Sequence, residues 1–280
     1  MKDFSGRVAA ITGAGSGMGR TLAVQLAQRG CHLALSDVNP EGLAGTAELA
    51  RTHGVTVTTA IVDVADRQAM EDWAASSAAA HGKINLIFNN AGVALSSTME
   101  GVDYADFEWI MGINFWGVVY GTKAFLPYLK AAGEGHIINT SSLFGLCSQP
   151  GMGGYNASKF AVRGFTEALR QELDMAHYGV SATSVHPGGI KTNIARAGRV
   201  SRNIEGLLVK DSTKSGEHFE KLFITSADSA AKTILRAVER NSRRVLVGPD
   251  AKATDLLVRL FPSFYQVVLS WLARWFMKGV

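Results

Sequence analysis

Short apolar runs alternate with longer segments of helical spacing along most of this chain. The runs fall at 7–12, 31–36, 55–62, 84–88, 136–141, 180–185 and 244–248. Each is five to eight residues long, the length of a strand buried on both faces. Strands in alternation with helices predict an α/β fold: a Rossmann-type doubly wound parallel sheet of about seven strands, with helices on both faces. Three helical segments stand out. Arg20 to Arg29 carries Leu22, Val24 and Leu26 and is closed by Gly30. Phe107 to Leu129 is long and strongly apolar, and Tyr155 to His177 follows the fifth strand. Both have more apolar surface than one sheet face can cover. No repeat or low-complexity linker interrupts the rhythm, so residues 1–254 are expected to form one domain.

Two segments depart from that rhythm. Residues 193–225 are polar, glycine-bearing and rich in both charges, which suits a substrate lid. Residues 255–280 form an apolar C-terminal extension with Phe261, Phe264, Tyr265, Trp271, Trp275 and Phe276, edged by Arg259, Arg274 and Lys278. The 14 residues between Arg259 and Arg274 are too few to span a bilayer, and Pro262 breaks them. Packing on a neighbouring subunit, covering a pocket and lying at a membrane interface all remain open for this extension.

The first strand runs straight into Thr12-Gly13-Ala14-Gly15-Ser16-Gly17-Met18-Gly19 and then the first helix. Strand, glycine turn and helix in that order bind phosphate. Glycine lets backbone approach a pyrophosphate, and the helix start offers free N–H groups and partial positive charge. The second strand reaches Asp37, 18 residues past Gly19, where an acidic group meets an adenosine ribose. Far along the chain, Tyr155 and Lys159 lie four apart, one turn from each other on a helix, and Ser142 stands thirteen residues before the tyrosine. A free tyrosine titrates near pH 10; a neighbouring ammonium favours its phenolate and is expected to lower that value. Ser142 can hold a substrate oxygen beside the phenol. The trio is equipment for moving a proton to or from a carbonyl or alcohol oxygen.

Composition narrows the setting. Two cysteines, Cys31 and Cys147, provide no disulfide framework in 280 residues, and the chain enters its first strand without a leader; a cytoplasmic protein is expected. The seven histidines are scattered without ligand spacing, so no metal is expected. Residues 1–190 hold 12 Lys and Arg against 16 Asp and Glu, whereas residues 191–280 hold 16 against 8. The basic residues are not interleaved with aromatics, which disfavours nucleic acid as a partner.

The glycine turn reads T-G-x-x-x-G-x-G and here the chain resembles the short-chain dehydrogenase/reductase family. Asp63-Val64 is similar to its adenine contact, Asn89-Asn90-Ala91-Gly92 to its NNAG motif, and Pro187-Gly188-Gly189-Ile190-Lys191-Thr192 to its PG-x-x-x-T segment. The resemblance covers roughly residues 4 to 250 and implies a cofactor held by Gly13, Ser16, Gly17, Met18, Gly19, Asp37, Asp63, Val64, Asn90, Ala91, Gly92, Tyr155, Lys159, Pro187, Gly188, Ile190 and Thr192. It implies catalysis by Asn114, Ser142, Tyr155 and Lys159, with Asn114 holding a water in a relay toward Lys159. It also implies a homodimer or homotetramer through the two long helices, and a substrate loop at the lid.

The expected reaction is hydride transfer between a nicotinamide and a secondary alcohol or ketone. NAD is the expected cofactor, because Asp37 would repel a 2′-phosphate and Val38-Asn39-Pro40 are uncharged. Arg20, a nearby cation, keeps NADP as the alternative. Ser142, Leu143, Phe144, Met152 and Tyr155 are expected to line a substrate pocket, with Leu95 and Leu146 adding to it, which suits a bulky apolar substrate. A 3-oxoacyl thioester reductase is the alternative enzyme; a cofactor-binding regulator without catalysis and a membrane-surface scaffold are the rivals from other classes. His186, beside Pro187, is read as structural rather than as an acid or base.

Overall fold

The computed structural model describes residues 3–194, 197–208, 212 and 223–278, with the side chains of 273 and 275–278 outside that description. Seven strands form the central sheet: β1 (Val8–Thr12), β2 (His32–Asp37), β3 (Val57–Ile61), β4 (Leu86–Asn89), β5 (Gly135–Thr140), β6 (Val180–Pro187) and β7 (Arg244–Val247). Their order is β3-β2-β1-β4-β5-β6-β7, and every neighbouring pair is parallel. The winding direction reverses between β1 and β4, so a crevice opens beyond their C-terminal ends. β1, β4 and β5 are buried along their whole length, which is why apolar residues run together in them, with polar residues such as His136 and Asn139 hydrogen-bonded within the fold. Edge strand β3 alternates instead.

Helices α1 (Gly17–Ala27), α2 (Pro40–Arg51) and α7 (Ala227–Glu239) cover one face. There Leu22, Leu26, Leu43, Ile234 and Leu235 close over Ile11, Leu33 and Leu35. Helices α3 (Arg67–His81), α5 (Gly117–Ala131) and α6 (Gly153–Ala176) cover the other, where Trp73 meets Phe125 edge-on at 4.9 Å. Local chemistry sets the ends. The Asn39 side chain accepts from Gly42 N, with Pro40 in the first turn, and Asp66 accepts from Ala69 N. Gly82 stops α3 in the left-handed region at φ 73°.

The predicted strands all form, within two residues of their expected ends. The single helix expected over 107–129 is divided: α4 (Tyr104–Met111) and α5 are joined by a π turn at Gly112–Trp116. The expected domain boundary at 254/255 falls inside α8 (Pro249–Leu260), which starts on Pro249 and stops before Pro262. Asp255 is tied to Arg244 of β7 and to Arg259, so the first part of the extension is fastened to the sheet. Helix α9 (Phe264–Lys278) completes the chain; the side chains of Trp275 and Phe276 lie outside the described residues. Of the expected lid, 195–196, 209–211 and 213–222 also lie outside them. Arg199–Val200 pairs with Leu95–Ser96, and Ile204 is buried in the turn that follows.

Both thiols are buried and unpaired with each other; burial pushes Cys31 up to about 12 and Cys147 up to about 11, which leaves neither reactive. No described helix is long and apolar enough to cross a membrane, and no metal-ligand cluster occurs among the described residues.

Candidate active site

The glycine turn between β1 and α1 is shaped by glycine's missing side chain. Gly13 and Gly17 hold φ of 64° and 50°. A Cβ on Gly19 would lie 2.0 Å from the Gly13 carbonyl oxygen. The turn and the first N–H groups of α1 face a cleft of about 300 Å³, with Asp37 at one end and Asp63, Val64 and Ala91 along its wall. Thr12 ties the turn to the Asn89–Gly92 segment: its Oγ1 accepts from Asn90 N and Ala91 N, each at 3.0 Å. Asn90 Nδ2 donates to Thr12 O at 3.1 Å, while its Oδ1 is buried without a partner among the described residues. Asp37 accepts from Gly15 N at 2.7 Å and from Asn39 N at 2.9 Å. Arg20 turns away from the cleft, donating to Gly15 O at 2.5 Å, Gly42 O at 3.1 Å and Thr46 Oγ1 at 2.9 Å.

A second cavity of about 340 Å³ joins this cleft; Met18, Asn90, Gly92, Thr192 and Ile194 line both. Ser142, Tyr155 and Lys159, each buried, line the second cavity. Ser142 follows β5 and caps a short 3-10 turn, accepting from Phe144 N at 3.1 Å. Its hydroxyl is hydrogen-bonded to Tyr155, which sits in the first turn of α6. Lys159 Nζ lies 5.7 Å from the Tyr155 ring centre and donates to Thr140 O at 3.1 Å. The neighbouring Ser141 is spent elsewhere, donating to Lys159 O at 2.7 Å. Both serines line the cavity, and Ser142, the one the 13-residue gap favours, is the one hydrogen-bonded to Tyr155.

The electrostatics differ from the local expectation. Burial raises the Tyr155 phenol above its ordinary value, with the Ser142 hydrogen bond opposing it. Burial also pulls the Lys159 ammonium down to about 8. Sequence spacing counts the attraction between the two groups but not the loss of water around both, and here desolvation is larger. The chain alone therefore holds Tyr155 protonated at neutral pH.

Asn114 lies in the π turn, fully buried. Its Nδ2 donates to Val93 O and Ser158 Oγ, and its Oδ1 accepts from Val93 N at 2.9 Å. The side chain braces the segment after Gly92 rather than touching Lys159; a Cβ on Gly92 would contact both. His186 is a framework residue. Its Nδ1 donates to Ser142 O at 3.0 Å, which leaves Nε2 to accept from Ser184 Oγ. Burial holds its pKa down at about 4.

Of the residues expected to hold a cofactor, Gly19 alone lines neither cavity, since it lies beneath the turn. Leu143, Phe144 and Met152 line the second cavity, whereas Leu95 and Leu146 are buried behind it. Val200 and Phe223, from the expected lid, also line it, and so do Ser96, Gln149 and Asp250, which were missed. Asp250 comes from the first turn of α8, and its Oδ2 accepts from Gly189 N at 2.6 Å. Its acidic first-turn position was visible in the sequence, but nothing there indicated the turn it would reach.

Comparison with known proteins agrees with this geometry. Residues 7–202 match the family described as short chain dehydrogenase. SadH of Mycobacterium tuberculosis is 47% identical over 278 residues, covering 99% of each chain. An 11-beta-hydroxysteroid dehydrogenase-like protein of Arabidopsis thaliana is 34% identical, over 98% of this chain and 78% of its own. A short chain dehydrogenase/reductase from Burkholderia phymatum, solved with NAD, superposes with a TM-score of 0.86 at 33% identity, over 95% of this chain and 97% of that one. This chain belongs to the short-chain dehydrogenase/reductase family of oxidoreductases.

Proposed function

We propose that this protein is an NAD(H)-dependent enzyme that interconverts a secondary alcohol and its ketone, one substituent being bulky and apolar. The observation that carries the reading is the Ser142–Tyr155 hydroxyl pair in the wall of the second cavity, which adjoins the cleft, with Lys159 beside it. The cleft fits an adenine dinucleotide: it has a glycine cradle, the open N-terminus of α1, a carboxylate at Asp37 and an unpartnered buried acceptor on Asn90. When bound, the nicotinamide supplies or accepts the hydride. Tyr155 gives its proton to the carbonyl oxygen in reduction and removes one from the alcohol in oxidation. Ser142 donates to the same oxygen and stabilises charge developing there. Lys159 binds the ribose and favours the phenolate when the proton leaves. Asn114 fixes the backbone after Gly92 and anchors a water relay toward Lys159.

NAD is favoured over NADP. Asp37 presents carboxylate charge where a 2′-phosphate would sit, and Arg20 is engaged by two carbonyls and a hydroxyl rather than free to meet a phosphate. We expect a higher kcat/KM for NADH than for NADPH, and Asp37→Ala should narrow the gap. A clear NADPH preference in the unaltered protein would refute the assignment.

The substrate reading rests on the apolar wall formed by Leu143, Phe144, Met152, Ile194, Val200 and Phe223. The Arabidopsis relative bears a hydroxysteroid in its name, in keeping with such a wall. A panel of small alkyl, aryl, long-chain and polycyclic ketones with NADH should show kcat/KM rising with apolar bulk. Selective turnover of a 3-oxoacyl thioester would favour that reductase instead. No turnover of any ketone with either cofactor would identify a cofactor-binding regulator. A homo-oligomer through α5 and α6 accounts for the exposed Trp116 and Phe160, with Trp116 stacked on Tyr120 at 5.7 Å. Free, buried thiols suit a cytoplasmic setting.

A further inference from the structure

The helical pair α8–α9 presents an outward face that the proposed reaction does not use. On α8, Lys252, Leu256 and Leu260 follow each other at a spacing of four and all are exposed, with Arg259 beside them. On α9, Phe264, Val267, Trp271 and Arg274 lie one helical turn apart and are also exposed. The two rows meet at the bend, where the Phe261 and Phe264 rings lie 6.4 Å apart. Phe264 and Trp271 are 60% and 62% exposed, although each is a large apolar side chain. The face therefore has an aromatic centre at the bend and cations toward its outer ends.

Its orientation is fixed from beneath. Tyr265 is buried, and its hydroxyl accepts from Ser148 N at 3.2 Å. The Asp255 carboxylate is only 15% exposed and is paired with Arg244 and Arg259, so it answers Arg259 and leaves Lys252 and Arg274 as the cations it does not offset. Gln149 lines both the substrate cavity and a groove between α9 and the start of α6, which places the helical pair next to the cavity.

We propose that this face docks on an anionic lipid surface, with Phe261, Phe264 and Trp271 in the acyl–headgroup boundary and Lys252 and Arg274 against the headgroups. Charge selects lipid over a second copy of the chain. Self-pairing of the patch about a two-fold axis would bring the same cations together with no carboxylate to answer them. A bilayer bearing anionic headgroups complements both the apolar centre and the basic ends.

The test is co-sedimentation of the full-length protein with vesicles. One set is phosphatidylcholine alone; the other contains about one-third phosphatidylglycerol. We expect binding to the anionic vesicles to exceed binding to the neutral ones by about tenfold or more, and added salt to weaken it. Phe264→Ser with Trp271→Ser should abolish it, and Arg274→Glu should reduce it several-fold. These side chains are exposed, so the variants should keep the parent Tm and elution volume. Absence of binding to anionic vesicles, equal binding to neutral ones, or full binding by the double serine variant overturns the proposal. So does a double variant that elutes as a smaller oligomer, because the face is then covered by another copy. None of these readouts depends on turnover.

Discussion

Tyr155→Phe is expected to lower turnover by about 10²–10⁴-fold and leave cofactor affinity within about twofold of the parent. The substitution removes one hydroxyl and little else. The ring still meets Phe144 edge-on at 6.3 Å and still packs with Leu95, Ile110 and Met152. What disappears is the proton and the hydrogen bond to Ser142. Single-turnover rates at saturating cofactor and ketone, with a fluorescence titration of NADH, separate the two effects. A variant that keeps more than about a tenth of the parent rate would show that Tyr155 is not the general acid.

Lys159→Ala should be at least as damaging and should fail differently, losing both turnover and cofactor affinity. The ammonium is buried between Thr140 O and the Tyr155 ring, so its removal takes charge from the phenol and, on the proposed role, the ribose contact together. A drop of roughly 10³-fold in kcat/KM is expected, with NADH binding weakened at least tenfold. Arginine should not rescue it, because a planar guanidinium does not reproduce the compact ammonium that donates to Thr140 O. The same group predicts a pH response. Lys159 loses its proton near pH 8, so kcat/KM for NADH, which reports the free enzyme, should fall as pH rises through about 8. A profile flat to a unit above that point would mean that the lysine charge is not used. If Lys159→Ala binds NADH normally, its cofactor role is wrong while its effect on Tyr155 could still be read from the rate.

The sheet was legible because buried parallel strands announce themselves as short apolar runs, and the alternating edge strand β3 still carried enough apolar residues to be found. The glycine turn and the Tyr155–Lys159 pair were legible because their chemistry depends on local spacing. Other features depend on what meets across the fold. The π turn at Gly112–Trp116 leaves no mark in an apolar pattern that runs on unbroken, and Asn114 is placed by it. Asp250 serves a turn sixty-one residues earlier in the chain. The direction of the Tyr155 shift depends on how much water is excluded, which spacing does not encode. The extension was divided at Asp255 because its composition changes there, although Pro249 had already begun the helix.

His186 has a companion one strand away. His136 in β5 is also buried, its Nε2 donates to Thr183 Oγ1 at 2.7 Å, and burial takes its pKa down to about 3. Thr183 in turn donates to Ser242 O. Both imidazoles are locked neutral in the central strands that carry Ser142. Unfolding frees each to take a proton at the ordinary value of 6.5, so between that pH and their folded values the unfolded chain binds more protons. Their contribution to stability is whole above about pH 6.5 and drains away as the solution is acidified. Each histidine adds a slope approaching 1.4 kcal/mol per pH unit once well inside that window. The framework that holds the reacting serine is therefore an acid-sensitive joint, and mild acidification erodes the fold itself.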